Sequence, residues 1–370
     1  MLYLDNAATE YPKPRRVRRE VMRCITRYCG NPQRSSHYYS VRASEEVYLA
    51  RVAVAELFGA ESEECVVFTE NATYALNLAI KSLIRSPCHI LISDLEHNAT
   101  LRPTVQLAER RGYSYSVFST VGDIEGSLEE SLRPDTGAII TTLASNVNGR
   151  IIPPVVISDF AKRHGLISIA DASQFAGHYP IDLRECPFTA LCAPAHKGLL
   201  GIQGAGVAVF DGGAVTDTFI EGGSGSDSRS PVMPTRLPDR LEAGTLPTPS
   251  IVALRRGIEV IKDRGLGEIG YSLARVSAAF CDRLSEIKGC EVFSEGCGII
   301  SFRVSGITTD TIASALDKAG ICVRAGLHCA PLAHRTLGTV DTGLVRISLS
   351  LFNHIRESDI FYRELKKILT

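Results

Sequence analysis

The 370 residues exceed what one hydrophobic core usually supports, so a large domain and a smaller one are expected. Hydrophobic residues at 45% and charged residues at 22% are ordinary globular composition and exclude long disorder. A formal net charge of -1 excludes the electrostatic footprint of a nucleic-acid partner, and the Arg-rich stretch 15–23 reads as a solvated helix face.

The opening residues MLYLDNAATE lack the pattern of a signal peptide, and no apolar run approaches the roughly 20 residues of a membrane span, so a cytoplasmic location without a membrane partner is expected. Eleven cysteines, an odd number with no secreted-domain spacing, read as mainly buried thiols in a reducing compartment. From about residue 65, short β-branched runs alternate with helical patterns: CVVFT, NATYALNLAIKSLIR, HILIS, a helix through Leu107, then YSVF. The alternation continues with GAIITTLA, a helix near 155–164, LISIA ending at Asp171, a run near 188–193 and GVAVF. This is α/β grammar and predicts a mainly parallel sheet covered by helices, with ligand chemistry at the strands' C-terminal ends.

Beyond Phe210, EGGSGSDSRSPVMP reads as an ordered active-site loop or a flexible connection, and EAGT close behind it favours the loop. Helical patterns at 250–264 and 267–288 lead to strands CEVFS and GIISFRV, a helix at 309–319 and a final helix from about Arg356. That is a smaller α+β unit, and no internal repeat is visible.

The strongest local signal is HKGLLGIQGAG, where Lys197 follows a strand and a histidine and precedes a glycine-rich return. Alone it is also consistent with a surface lysine before a tight turn; the spacing is no dinucleotide fingerprint, because a strand follows it. Asp171, at the end of LISIA, brings a carboxylate to the same sheet edge. That pair suits pyridoxal phosphate: the lysine amine forms a Schiff base, and the carboxylate keeps the ring nitrogen protonated. The competing reading of Asp171 is a turn cap.

Asn71, Ala72 and Thr73 follow CVVFT at a helix start, where unpaired amides and the helix dipole favour a phosphate; Asn71 as N-cap is compatible with that. His97, in LEHNAT, is placed either to lie flat on a cofactor and shuttle protons or to serve the loop's structure. Asn146 and Gln174 can bond a cofactor phenolate oxygen or substrate polar groups, or cap turns. In RAGLHCAPL and VRISLSLFN, Arg324 and Arg346 offer forks for a substrate carboxylate. Cys329, beside His328, reads as a nucleophile with a lowered pKa or as a buried thiol. A metal site of His328, Cys329 and His334 lacks a second ligand cluster, so no metal is expected.

Together, LDNAAT, FTENAT, LEHNAT, ASN, DASQ, AHKGLLG, EAGT, RAGLHCAPL and VRISLSLFN resemble, in order and over nearly the whole chain, the class V pyridoxal-phosphate enzymes called cysteine desulfurases. The cysteine segment resembles the SufS and selenocysteine-lyase-like branch with a short, ordered nucleophile loop, and RAGLHCAPLAH is similar to a bacterial subfamily linked with selenium metabolism. The resemblance implies a fold type I homodimer with its site at the dimer interface. It further implies a large cofactor domain (15–245), a small C-terminal domain (246–370) and an N-terminal arm (1–14) packing with the small domain.

By motif position, Lys197 matches the lysine that carries the cofactor, Asp171 the partner of its ring nitrogen, His97 the stacking base and Gln174 the phenolate contact. Thr73 and His196 match phosphate ligands, and Thr245 matches one that reaches the neighbouring subunit's phosphate. Asn146 and Arg346 match substrate-carboxylate ligands, Cys329 the persulfide-forming nucleophile and His37 a further site histidine. Pro194, Asn71-Ala72 and Leu143 depart from the usual hydroxyl residue, Gly-Thr and histidine, which removes phosphate-binding side chains. The implied reaction turns L-cysteine into L-alanine and a persulfide on Cys329, for delivery to a sulfur- or selenium-acceptor protein. Its alternatives are a selenocysteine lyase acting on L-selenocysteine and a class V aminotransferase.

Overall fold

The runs VVFT, HILIS, ALCAP and GVAVF are buried along their whole lengths, which a strand achieves inside a sheet covered on both faces. The computed structural model, which describes residues 1–32, 35–226 and 228–369, places them in one seven-stranded sheet. Its order is Val66–Thr69, Gly206–Phe210, Ala190–Pro194, Ile167–Asp171, Thr136–Thr142, His89–Ser93 and Ser114–Phe118. Every neighbouring pair is parallel except those made by Gly206–Phe210, which runs against both its neighbours. The reversal has a length cause: residues 195–205 are too few for the crossover that a parallel return needs.

Helices Ala72–Leu83, Asn98–Arg111 and Pro154–His164 each begin in the loop after a strand. Helix Tyr38–Phe58 escapes the sequence reading. It buries Ala43, Val47, Ala50, Val54 and Phe58, but Tyr38, Val41, Tyr48 and Leu49 are exposed and blur its apolar stripe. Helix Thr248–Arg264 packs on it and on helix Arg15–Arg27.

A second, antiparallel sheet has the order Arg324–Gly326, Leu344–Ser348, Ile299–Val304 and Cys290–Gly296. Residues Leu2–Tyr3 pair in parallel with Ile321–Cys322, and Asp5 bridges to Ser348. One apolar core runs unbroken from Ile139 and Phe160 through Ile258 and Leu273 to Ile300 and Phe302, so the two sheets share a single interior.

The expected burial of the thiols is only partly met. Cys24, Cys65, Cys192 and Cys297 are buried, Cys29 and Cys329 are exposed, the rest are half-buried, and all are free. Among the described residues no helix is long and apolar enough to cross a membrane.

A buried ion pair ties the loop carrying Thr245 to the large sheet. Glu242 accepts from Arg51 Nη1 at 2.8 Å, Arg51 Nη2 at 2.7 Å and the Phe68 amide at 2.6 Å. Removing one partner leaves an uncompensated buried charge, so Glu242→Ala is expected to cost about 3–5 kcal/mol of unfolding free energy. Denaturant unfolding checks this, and a loss below about 1 kcal/mol contradicts it.

Candidate active site

Strand order explains why the site lies where it does. The strands ending at Thr69, Ser93, Thr142, Asp171 and Pro194 deliver their loops to one edge, around a cavity lined by Ala72, Thr73, His97, Asn146, Asp171, Gln174, His196 and Lys197.

At one end is the start of helix Ala72–Leu83. Asn71 caps it, its side-chain oxygen accepting from the Tyr74 amide at 2.9 Å, and the amides of Ala72 and Thr73 have no acceptor among the described residues. Gly206 lets the antiparallel strand lie against this turn, since a Cβ there would stand 2.6 Å from the Asn71 carbonyl carbon. Asp171 is 2% exposed; its Oδ1 accepts from the Ser173 amide at 2.9 Å, and its Oδ2 has no hydrogen-bond partner among the described residues.

Burial holds the Lys197 amine down to about 8 against the attraction of Asp171, and Arg346 and Arg324 push the same way as burial. His97 is the N-cap of helix Asn98–Arg111. Its Nδ1 accepts from the Ala99 amide at 3.0 Å, which puts the ring proton of the neutral form on Nε2. Burial, then Lys197, lowers this imidazole to about 4, so it is neutral at physiological pH. His196 is likewise lowered to about 4, by burial and then by Lys197 and Lys13, and its Nδ1 lies 3.1 Å from Thr9 Oγ1. Gln174 donates from Nε2 to the Ala7 carbonyl at 3.0 Å.

The second sheet closes the other end. Arg346 is 1% exposed on strand Leu344–Ser348; its Nη1 donates to the Asn146 carbonyl at 3.0 Å and its Nη2 to Asp5 Oδ1 at 2.8 Å. Asn146 donates from Nδ2 to the His328 carbonyl at 2.6 Å, and the Asn98 amide donates to the Cys329 carbonyl at 2.7 Å. Those two bonds dock the cysteine loop on the large sheet's edge. They also hold His328 and Cys329 at φ 51° and 57°, a left-handed pair of non-glycine residues costing about 1–3 kcal/mol each. The Cys329 side chain is exposed.

Arg346 and Cys329 do not themselves line the cavity, and three further predicted residues stand apart. Arg324 is exposed, the cross-strand neighbour of Arg346 but not part of the cavity wall. His37 is exposed and caps helix Tyr38–Phe58, its Nδ1 accepting from the Ser40 amide at 3.3 Å. Thr245 is exposed in an irregular segment, also away from this chain's cavity.

The family model described as Aminotransferase class-V matches residues 2–361. The chain belongs to this family. A probable cysteine desulfurase of Methanothermobacter thermautotrophicus is 29% identical over 99% of this chain and 94% of that protein. One of Halalkalibacterium halodurans is 30% identical over 99% and 93%. Among solved structures, the apo cysteine desulfurase of Thermococcus onnurineus NA1 superposes with a TM-score of 0.92 at 27% identity, covering 99% of this chain and 94% of that one.

Class V enzymes depend on pyridoxal phosphate, and the fold is accordingly the fold type I transferase fold, an α/β architecture with a large, mostly parallel sheet. The residues present fit that cofactor. Two unaccepted amides at a helix N-terminus suit its phosphate, the buried Asp171 its ring nitrogen, and a lysine amine biased toward neutrality its aldehyde.

Sequence reasoning missed what the N-terminal arm does in this class V chain. Lys13 Nζ at 2.8 Å, the Glu10 amide at 3.0 Å and Thr9 Oγ1 at 3.2 Å all donate to the His196 carbonyl, one residue before Lys197. The segment LDNAAT was visible as a motif, but its polar residues carried no local sign of which loop they would meet. Glu96 was also passed over. It is fully buried beside His97, accepts from Ser93 Oγ at 2.5 Å and the Thr142 amide at 2.7 Å, and burial pushes its carboxyl up to about 8. A neutral acid there adds no second negative charge near Asp171.

Proposed function

We propose that the protein is a pyridoxal-phosphate-dependent cysteine desulfurase, converting L-cysteine to L-alanine and retaining the sulfur as a persulfide on Cys329. The observation that carries this reading is the docking of the Cys329 loop, by hydrogen bonds from Asn98 and from Asn146, a wall residue of the cavity that holds Lys197 and Asp171. An aminotransferase has no use for a thiol held there.

Bound pyridoxal phosphate supplies an electron sink for the pair left when the substrate's Cα proton departs. The amides of Ala72 and Thr73, with Thr73 Oγ1 and His196, bind the phosphate, and Asp171 holds the proton on the ring nitrogen. His97 would face the ring, and Gln174 would serve the phenolate oxygen. Lys197 would carry the cofactor, and its amine, whose hold on a proton burial weakens, would take the Cα proton. Arg346 and Asn146 hold the substrate carboxylate, with Arg324 at the rim. The Cys329 thiolate attacks the substrate sulfur, the carbon–sulfur bond breaks with its electron pair left on carbon, and the skeleton takes one proton at Cβ, regains one at Cα and leaves as alanine.

In this reading the enzyme is a homodimer in which Thr245 and His37, exposed in the single chain, serve the partner's site. The exposure of Cys329 supports onward transfer to an acceptor protein, and eleven unpaired cysteines suit a reducing cytoplasm.

The test supplies L-cysteine and L-selenocysteine separately to the cofactor-loaded protein, with a thiol reductant to release persulfide sulfur as sulfide, and quantifies alanine, sulfide, selenide and keto acid. Alanine matched by sulfide is expected from cysteine. Keto acid in place of alanine makes the chain an aminotransferase, alanine and selenide from selenocysteine alone make it a selenocysteine lyase, and negligible alanine from both refutes the lyase reading.

A further inference from the structure

Arg346 is nearly inaccessible, yet its charge is balanced from outside its own sheet. Asp5 reaches it from the N-terminal arm, Oδ1 to Nη2 at 2.8 Å, while Nη1 is tied to the Asn146 carbonyl at 3.0 Å. With both outer nitrogens anchored the guanidinium cannot rotate freely, and its Nε, buried and without a partner among the described residues, remains available to donate. The arm is itself held close by. Asp5 bridges to Ser348, the Ala7 amide donates to Ser348 Oγ at 2.9 Å, and Gln174 grips the Ala7 carbonyl at 3.0 Å.

We propose that Asp5 is a positioning residue for substrate recognition, setting the orientation of the Arg346 guanidinium so that it presents its free donors to the substrate's carboxylate. This rests on the reading that Arg346 binds that carboxylate. The geometry favours it because among the described residues Asp5 is the one carboxylate paired with Arg346, and without it one of the two anchors is lost. An arginine held in one orientation loses less freedom when the ligand arrives, so the benefit falls on ligands that bear a carboxylate. Asp5 touches neither cofactor nor reacting atoms in this account; it acts through Arg346. The arm thereby links the peptide before Lys197, gripped by Thr9, Glu10 and Lys13, to the group that receives the substrate.

The experiment measures binding of L-alanine and of L-alaninamide to the cofactor-loaded dimer, followed by the change in cofactor absorbance, alongside the KM and kcat for L-cysteine. For Asp5→Ala the Kd of L-alanine is expected to rise about tenfold or more, and that of the amide less than about threefold, with KM moving more than kcat. Asp5→Asn keeps an acceptor at the same place and is expected to restore part of the loss. Ser348→Ala loosens the arm without touching the ion pair and is expected to leave the preference for the acid over the amide unchanged.

Arg346→Ala separates the two claims. If it leaves the acid-over-amide preference intact, Arg346 does not bind the carboxylate, and the reading beneath the proposal falls. If Arg346→Ala removes the preference but Asp5→Ala does not, the proposal for Asp5 alone is overturned. An equal loss from Ser348→Ala overturns it too, because arm docking rather than the ion pair would then be responsible.

Discussion

Lys197→Ala is expected to abolish turnover of L-cysteine, a loss of at least about 10⁴-fold, because one side chain performs two functions that no neighbour can replace. The amine carries the cofactor, and the same amine moves the Cα proton. His97 cannot take over the second task. Its imidazole is neutral and its Nδ1 is engaged with the Ala99 amide, leaving only an Nε2–H that must be lost before it can accept a proton. Lys13, which reaches the residue before Lys197, spends its Nζ on the His196 carbonyl. Lys197→Arg keeps a charge but not a nucleophilic amine, so it should fare no better. Two measurements check this: the visible absorbance of lysine-bound cofactor, and borohydride reduction followed by peptide mapping, which should mark the peptide containing Lys197 in the parent and not in the variant. Turnover within tenfold of the parent, or a label on another lysine, sinks the assignment.

The large sheet was legible in the sequence because each buried strand is an apolar run bounded by a helical pattern, and period and length together separate the two. Direction was less legible. Only the shortness of 195–205 distinguishes Gly206–Phe210 from its parallel neighbours, and apolar runs look alike whichever way they point. Helix Tyr38–Phe58 was hidden because five of its large apolar residues, Tyr39 among them, face outward. The expected homodimer would account for such a face, but one chain alone gives it no partner.

The site divides in the same way. Residues borne just after strands, such as Asp171, His97 and Lys197, announce themselves because topology fixes where a strand ends. Asp5 and Arg346 do not: their contact spans almost the full length of the chain and depends on how the arm threads between the two sheets. The thiols show a related limit. Hydrophobicity places Cys192 and Cys297 inside correctly, but the exposure of Cys329 follows from a left-handed backbone pair that no propensity would assign to His-Cys.

Cys329→Ser carries the other large effect, and it discriminates between chemistries rather than merely disabling the protein. Serine preserves the backbone and nearly the volume, so the Asn98 and Asn146 hydrogen bonds to the loop's carbonyls should persist and the cofactor spectrum should not change. What disappears is an ionisable, polarisable nucleophile able to attack sulfur and hold it. Release of alanine from L-cysteine is therefore expected to fall by about 10²-fold or more, a barrier increase of about 2.7 kcal/mol at the least. Intact-mass analysis of the parent after one turnover should show one added sulfur atom on the peptide containing Cys329, sensitive to thiol reductants, and the variant should show none. L-selenocysteine offers a weaker carbon–heteroatom bond and a better leaving group, so the same variant should lose less of its activity toward it. Equal turnover of L-cysteine by parent and variant would leave Lys197 and Asp171 as an intact cofactor site while removing the thiol from the reaction, and the aminotransferase alternative would then have to account for why a strained loop docked on Asn146 of that cavity's wall holds an exposed cysteine.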